Sequence, residues 1–211
     1  ILILENILRI KKMFKLLPLV TAIACGPSKL ETTENRDTQT SEPLPVPTEF
    51  GVISGPDCSQ TGPGDYACNV VLYDQDKIPW QLYDHKGKVV ILDFSASWCP
   101  PCQNSGMFVQ PIQDDYEDDV IFATLLIDGY TFGIEPTDDE ITDWADSHNI
   151  TTAPVLYASR DLVFDPTGTG IEGYVIEGFP TYIYIGRDGI IAEGHTGFSE
   201  GYVRTIIERL R

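Results

Sequence analysis

"LDFSASWCPPCQ", residues 92–103, places two prolines between two cysteines directly after an apolar run that carries one aspartate. A CxxC pair alone serves three chemistries: a redox couple, half of a thiolate metal site, or a structural disulfide. The surrounding sequence has to separate them.

The chain has 211 residues, 42% of them hydrophobic, which is one ordinary domain plus extensions. Its 32 acidic and 14 basic residues give a net charge of -18. Phosphate backbones are bound by clustered Lys and Arg, so nucleic acid is excluded as a partner, and the same sign disfavours an anionic membrane surface. The run "DDYEDD", residues 114–119, reads as a solvated face. No stretch has the ligand spacing and turn glycine of an EF-hand loop.

The amino-terminal part is of a different kind. The chain opens on Ile1, and residues 1–12 are expected to lie upstream of a natural start at Met13. Lys11, Lys12 and Lys15 precede a short apolar stretch, residues 16–24, that is too short to span a bilayer but suits an export signal. It ends in "TAIACG", which resembles a bacterial lipoprotein cleavage box with Cys25 as the lipidated residue, although Ala22 stands where leucine is usual. Residues 1–25 are therefore expected to direct export and anchor the chain. Residues 26–49 are rich in Thr, Ser, Glu and Pro and read as a flexible tether.

Residues 50–211 alternate as an α/β domain does. "VVLYDQDKIPWQLYD" predicts two short strands joined by a turn, and "GKVVILDFSAS" a central buried strand. A helix is predicted from the CPPC motif toward Tyr116, kinked at Pro111. "VIFATLLID" is the next buried strand. Thr137 and Glu140 have capping-box spacing ahead of a helix through "DDEITDWADSHN". A strand over residues 155–157, a hairpin turning at Asp188-Gly189 and a terminal amphipathic helix complete the pattern.

The strand ending in "LDFSASWCPPC", the later "GFPTYIYIGRDGII" and the terminal helix resemble the thioredoxin superfamily, and more narrowly the TlpA/ResA-like thiol-disulfide oxidoreductases. The resemblance covers about residues 80–210, and residues 120–150 resemble that subgroup's strand-helix insertion. It implies a thioredoxin-like α/β fold: a central mixed sheet flanked by helices, with an amino-terminal strand extension. It also implies that Pro180 is the superfamily's cis-proline, within a Phe179-Pro180-Thr181 segment whose backbone pairs with substrate. An ordinary turn proline is the bland alternative.

The redox chemistry can be argued from the residues. A thiolate attacks in disulfide exchange, and a cysteine just ahead of a helix gains from the helix's positive end and free N–H groups, which makes Cys99 the nucleophile. Cys102, one turn later and deeper, resolves the mixed disulfide. Proline disfavours helical geometry in the residue before it, so the helix should begin near Pro101. Neither proline carries an N–H, so fewer amides face Cys99 and its pKa falls only modestly, which favours a reductant over a strong oxidant. Asp93, a carboxylate in an apolar strand, should have its pKa raised by desolvation and can accept the Cys102 proton; the competing reading is an edge residue facing water. Trp98 either shields the disulfide within a docking surface or simply packs.

With Cys25 lipidated and Cys99 paired to Cys102, Cys58 and Cys68 are expected to form a structural disulfide; a second redox pair and a four-thiolate zinc site are the alternatives. His85, His148 and His195 are scattered without a ligand pattern, and the CxxC spacing departs from the CxxxC usual in copper chaperones of the SCO type. No metal or cofactor is expected. The expectation is a lipid-anchored, exported oxidoreductase, most simply a reductant of protein disulfides. By resemblance, it draws electrons from a membrane thiol transporter of the DsbD/CcdA kind and serves cytochrome c maturation or disulfide repair. An oxidase or isomerase, a peroxiredoxin-like peroxide reductase and a non-catalytic binding module are the competing readings.

Overall fold

In the computed structural model, the apolar run ahead of CPPC becomes β4, Val89–Ala96, with all eight residues buried. A strand covered on both faces belongs inside a sheet, and β4 is the middle strand of five. It pairs in parallel with β5, Val120–Asp128, and antiparallel with β7, Thr181–Ile185. β6, Val155–Tyr157, lies parallel beyond β5, and β8, Ile191–Thr196, antiparallel beyond β7. This is the expected mixed sheet of a thioredoxin-like fold. A second, antiparallel sheet joins β1, Val52–Ser54, β2, Asn69–Tyr73, and β3, Pro79–Gln81, in that order. The structure describes residues 61–160, 174 and 176–211, with the backbone of 52–54. The expected export segment 1–25, the tether 26–49, Cys25 and Cys58 lie outside the described residues. Among the described residues, no helix is long and apolar enough to cross a membrane.

Lying wholly among the described residues are the helices α1, Pro100–Gly106, α2, Val109–Tyr116, α3, Asp138–Ser147, and α4, Glu200–Leu210. The single kinked helix expected from CPPC to Tyr116 is instead two, separated at Met107 and Phe108. Pro111 explains where the break falls. It cannot donate to the Met107 carbonyl four residues back and its ring crowds that carbonyl, so the interruption comes a turn before the proline, which then sits in the first turn of α2. α1 also begins at Pro100, one residue earlier than expected, because the fixed φ of proline suits a first helical position. The capping box at α3 is formed as predicted: Thr137 Oγ1 accepts from Glu140 N, and Glu140 Oε2 accepts from Thr137 N at 2.7 Å. At the β7–β8 hairpin Gly189 has φ 83°, which its turn position requires.

Strand alternation divides the core. Val90, Leu92 and Phe94 of β4 face one cluster with Trp80, Leu125 and Tyr174, while Val89 and Ile91 face another with Cys99, Cys102, Ile112 and Val203. Two buried glutamines on α2 attach it to backbone that strands and helices leave unpaired. Gln110 Oε1 accepts from Thr151 N at 2.7 Å and Thr152 N at 2.9 Å. Gln113 Oε1 accepts from Phe122 N at 2.9 Å, and its Nε2 donates to Val120 O at 2.9 Å. Gln113→Leu keeps the volume but orphans both β5 groups in a dry site. It should lower the unfolding free energy by about 2–4 kcal/mol in urea titration, whereas a loss under about 0.5 kcal/mol would mean that water replaces the amide.

Candidate active site

Cys99 follows the carboxyl end of β4 and caps α1 in extended geometry, φ -88° and ψ 110°. It is disulfide-bonded to Cys102 across a Cα–Cα distance of 5.3 Å. With prolines at the first two helical positions, the first amide able to reach Cys99 is that of Cys102, which donates to its sulfur at 3.3 Å. Cys102 is fully buried and Cys99 is 3% exposed.

Asp93 lies three residues after Val90 on the central strand, fully buried, so the water-facing alternative does not hold. By alternation it shares the face of Val89 and Ile91, the face that packs on Cys99 and Cys102. Its neighbours across the ladders are Thr124 and Tyr182. Ser95 Oγ donates to Asp93 Oδ1 at 2.8 Å and Thr124 Oγ1 to Oδ2 at 3.4 Å. Burial pushes its carboxyl up to about 7, and the two hydroxyls restrain that rise.

The Phe179-Pro180 peptide is cis, as the resemblance implied. Thr181 pairs with Phe94, which brings the segment to the end of the sheet where Cys99 lies. Thr181 Oγ1 donates to Gly178 O at 2.7 Å and fixes the turn. Trp98, half-buried, stands edge-on to Phe179 at 6.1 Å between ring centroids. The structure thus gathers Asp93, Trp98, Cys99, Cys102, Phe179, Pro180 and Thr181 at one end of β4. Cys68, in contrast, sits apart beside β2, fully buried and disulfide-bonded. Its expected partner, Cys58, is outside the described residues. Among the described residues, no three His, Cys, Asp or Glu side chains are placed to hold a metal ion.

Sequence reasoning missed three contributors. Asp128, the last residue of β5, is fully buried and accepts from Trp98 Nε1 at 2.8 Å, Gly133 N at 2.9 Å and Arg160 Nε at 2.7 Å. Burial alone would raise its carboxyl, but these donors hold it below the ordinary carboxylate value. A carboxylate ending the apolar run "VIFATLLID" was the available signal. Arg160 had none, because its partner is 32 residues away. His148, buried, meets Trp144 O at 2.7 Å through Nδ1 and Gln103 O at 3.0 Å through Nε2, tying α3 to the redox helix. Gly106 makes room for that ring, since a Cβ there would lie 2.5 Å from it.

The raised Asp93 carboxyl implies a definite pH dependence. Between about pH 4 and 7 the unfolded carboxyl ionises while the folded one holds its proton, so stability falls as pH rises. A shift from 3.8 to about 7 costs about 4 kcal/mol once both states are ionised. Asp93→Asn should therefore be more stable than the parent by up to about 4 kcal/mol at pH 8, with the difference closing toward pH 4. A pH-independent difference between the two unfolding curves would contradict this.

A profile of the Redoxin family matches residues 62–206. The chain is 27% identical to thioredoxin-like protein YneN of Bacillus subtilis over 55% of its length and 61% of that protein. It is 25% identical to the thiol-disulfide oxidoreductase ResA of Halalkalibacterium halodurans over 70% of its length and 77% of that protein. Among solved structures, it is similar to the pneumococcal exposed lipoprotein thioredoxin Etrx1 of Streptococcus pneumoniae, with 27% identity, a TM-score of 0.54, and coverage of 67% of this chain and 99% of that one. The chain belongs to the Redoxin family, among the TlpA/ResA-like thiol-disulfide oxidoreductases of the thioredoxin superfamily.

Proposed function

We propose that this chain is an exported, lipid-anchored reductant of protein disulfides working through Cys99 and Cys102. The observation that carries the reading is the Cys99–Cys102 pair at the start of a helix, over a buried carboxyl that titrates near pH 7. In the reduced enzyme the Cys99 thiolate attacks one sulfur of a client disulfide. A Cys99–client bond forms, and the client's other sulfur leaves as a thiolate. Cys102 then gives its proton to Asp93 and attacks Cys99, which forms the Cys99–Cys102 bond and frees the second client sulfur. Two electrons pass to the client, and its two sulfurs take up two protons in all. Trp98, Phe179, Pro180 and Thr181 form the client-contacting rim.

Cys99's surroundings support this direction. The Cys102 amide at 3.3 Å reaches its sulfur, and the prolines remove two further donors, so the thiolate is only modestly stabilised. A strong oxidant needs the opposite, an unusually stable reduced thiolate. The basic residues, the apolar stretch and Cys25 support export and lipidation, with residues 26–49 as the tether of the domain 50–211. The exposed-lipoprotein description of the pneumococcal structure is in line with that placement. Such an anchor puts the domain beside a membrane thiol transporter of the DsbD/CcdA kind as electron donor, with cytochrome c maturation or disulfide repair as its service. Cys58 and Cys68 form a structural bridge.

Purified parent should reduce insulin disulfides, Cys99→Ser should lose at least a hundredfold in rate, and Cys102→Ala should accumulate mixed disulfides with clients in cells. The reduction potential should lie between about -200 and -270 mV; a value near -120 mV would reverse the direction. Undiminished insulin reduction by Cys99→Ser would leave a binding module, and peroxide consumption exceeding disulfide reduction would leave a peroxidase.

A further inference from the structure

The segment between β5 and α3 holds large apolar side chains in water: Tyr130 is 57% exposed, Phe132 67% and Ile134 58%. The segment is nonetheless well fastened. Gly129 N donates to Ile134 O at 2.8 Å and Ile134 N to Thr131 O at 3.1 Å. Gly133 N is bound by the Asp128 carboxylate, and Tyr130 N donates to Glu140 Oε1 at 2.6 Å. A loop fixed by its own backbone and two carboxylates therefore presents three large side chains that stay more than half exposed, and clustered exposure of that kind marks an interaction surface.

Its position says what kind. The Phe132 ring lies 5.2 Å from Trp98 and carries the Arg160 guanidinium at 4.4 Å on its face. Trp98 in turn meets Phe179, next to the cis-proline. One aromatic ridge thus runs from the cis-proline past Cys99 to the loop. Exposed carboxylates of Glu135, Asp139 and Asp143 border the loop, in a chain of net charge -18. This negative charge repels anionic lipid and a second copy of the chain, and attracts a cationic polypeptide.

We propose that the Tyr130–Ile134 loop selects clients, docking an extended client segment that has an apolar side chain beside its reactive cysteine and Lys or Arg beyond it. The proposal rests on the reading of Cys99 as the cysteine that attacks clients. Docking on a fastened loop lowers KM for such clients without touching the sulfur exchange itself.

The test compares the full chain with Phe132→Ser/Ile134→Ser and with Phe132→Leu. Three disulfides serve as substrates: bis(2-hydroxyethyl) disulfide, a disulfide peptide with Leu beside the cysteine and Lys beyond, and the same peptide with Ser and Glu at those places. The readout is the ratio of peptide to small-disulfide kcat/KM, in which a general loss cancels. The parent should favour the Leu/Lys peptide over the Ser/Glu peptide about tenfold, the double variant should lose that preference through KM, and Phe132→Leu should keep most of it. A parent that reduces all three without preference, or a double variant with unchanged ratios, overturns the docking role alone. A parent that reduces none overturns the reading of Cys99, and the docking role with it. Loop-dependent sedimentation with phosphatidylcholine/phosphatidylglycerol vesicles, or loop-dependent dimerisation, overturns it in favour of a lipid surface or a second copy.

Discussion

The candidate site depends on how β4 is paired. A parallel neighbour on one side and an antiparallel neighbour on the other bring three chain segments to the same end of the sheet. β4 ends there and passes into Trp98 and Cys99, β5 ends there at Asp128, and β7 begins there just after the cis peptide at Pro180. None of the three segments is near another in sequence. A register slip of one residue in β4 would turn Asp93 to the opposite face and Leu92 toward the redox helix. Such a slip would bury the carboxyl away from the cysteines, so register specifies the chemistry as well as the core.

Two carboxylates buried near this end meet opposite electrostatic fates, and the difference lies in their donors. Asp93 takes its hydrogen bonds from the hydroxyls of Ser95 and Thr124, which cannot offset the loss of water, and its carboxyl rises to about 7. Asp128 faces a guanidinium, an indole N–H and a backbone amide, which outweigh the same burial. One group therefore titrates in the range where thiols exchange protons, while the other stays ionised and acts as a fixed anchor for Trp98 and the following loop. Placing a cation beside Asp93 would remove that distinction.

What was legible in the sequence had local causes. The predominantly apolar run around Asp93 pointed to β4 as a central strand, Thr137 and Glu140 announced the start of α3, Asp188-Gly189 announced the hairpin, and CPPC after a strand announced the helix with its capping cysteine. The break at Met107 and Phe108 was also encoded locally, by Pro111, but its place follows from the carbonyl that proline leaves unpaired and not from the proline itself. Arg160, Gln110 and His148 were illegible because their partners are 32 to 45 residues away. The exposure of Phe132 and Ile134 was hidden for a related reason: "GYTFGIEP" has the composition of a loop, and only the bonds to Asp128 and Glu140 show that it is held.

The acidic excess is distributed in a way that bears on the redox end. The run from Asp114 to Asp119, expected to be merely solvated, is paired from several elements: Asp115 with Arg204 of α4, Asp119 with Arg187 of the β7–β8 hairpin and Asp118 with Lys88 ahead of β4. Each exposed pair is worth little alone. Together they gather cations where Val89 pairs with Val120, at the amino end of β4. Eight strand residues span about 25 Å, several screening lengths at physiological salt, so these cations act weakly on Cys99. Arg160, which does lie at the redox end, is engaged by Asp128. Among the described residues, the polar group that meets the Cys99 sulfur is thus the Cys102 amide, and its surroundings are set by the short helix and the two prolines rather than by the charged surface.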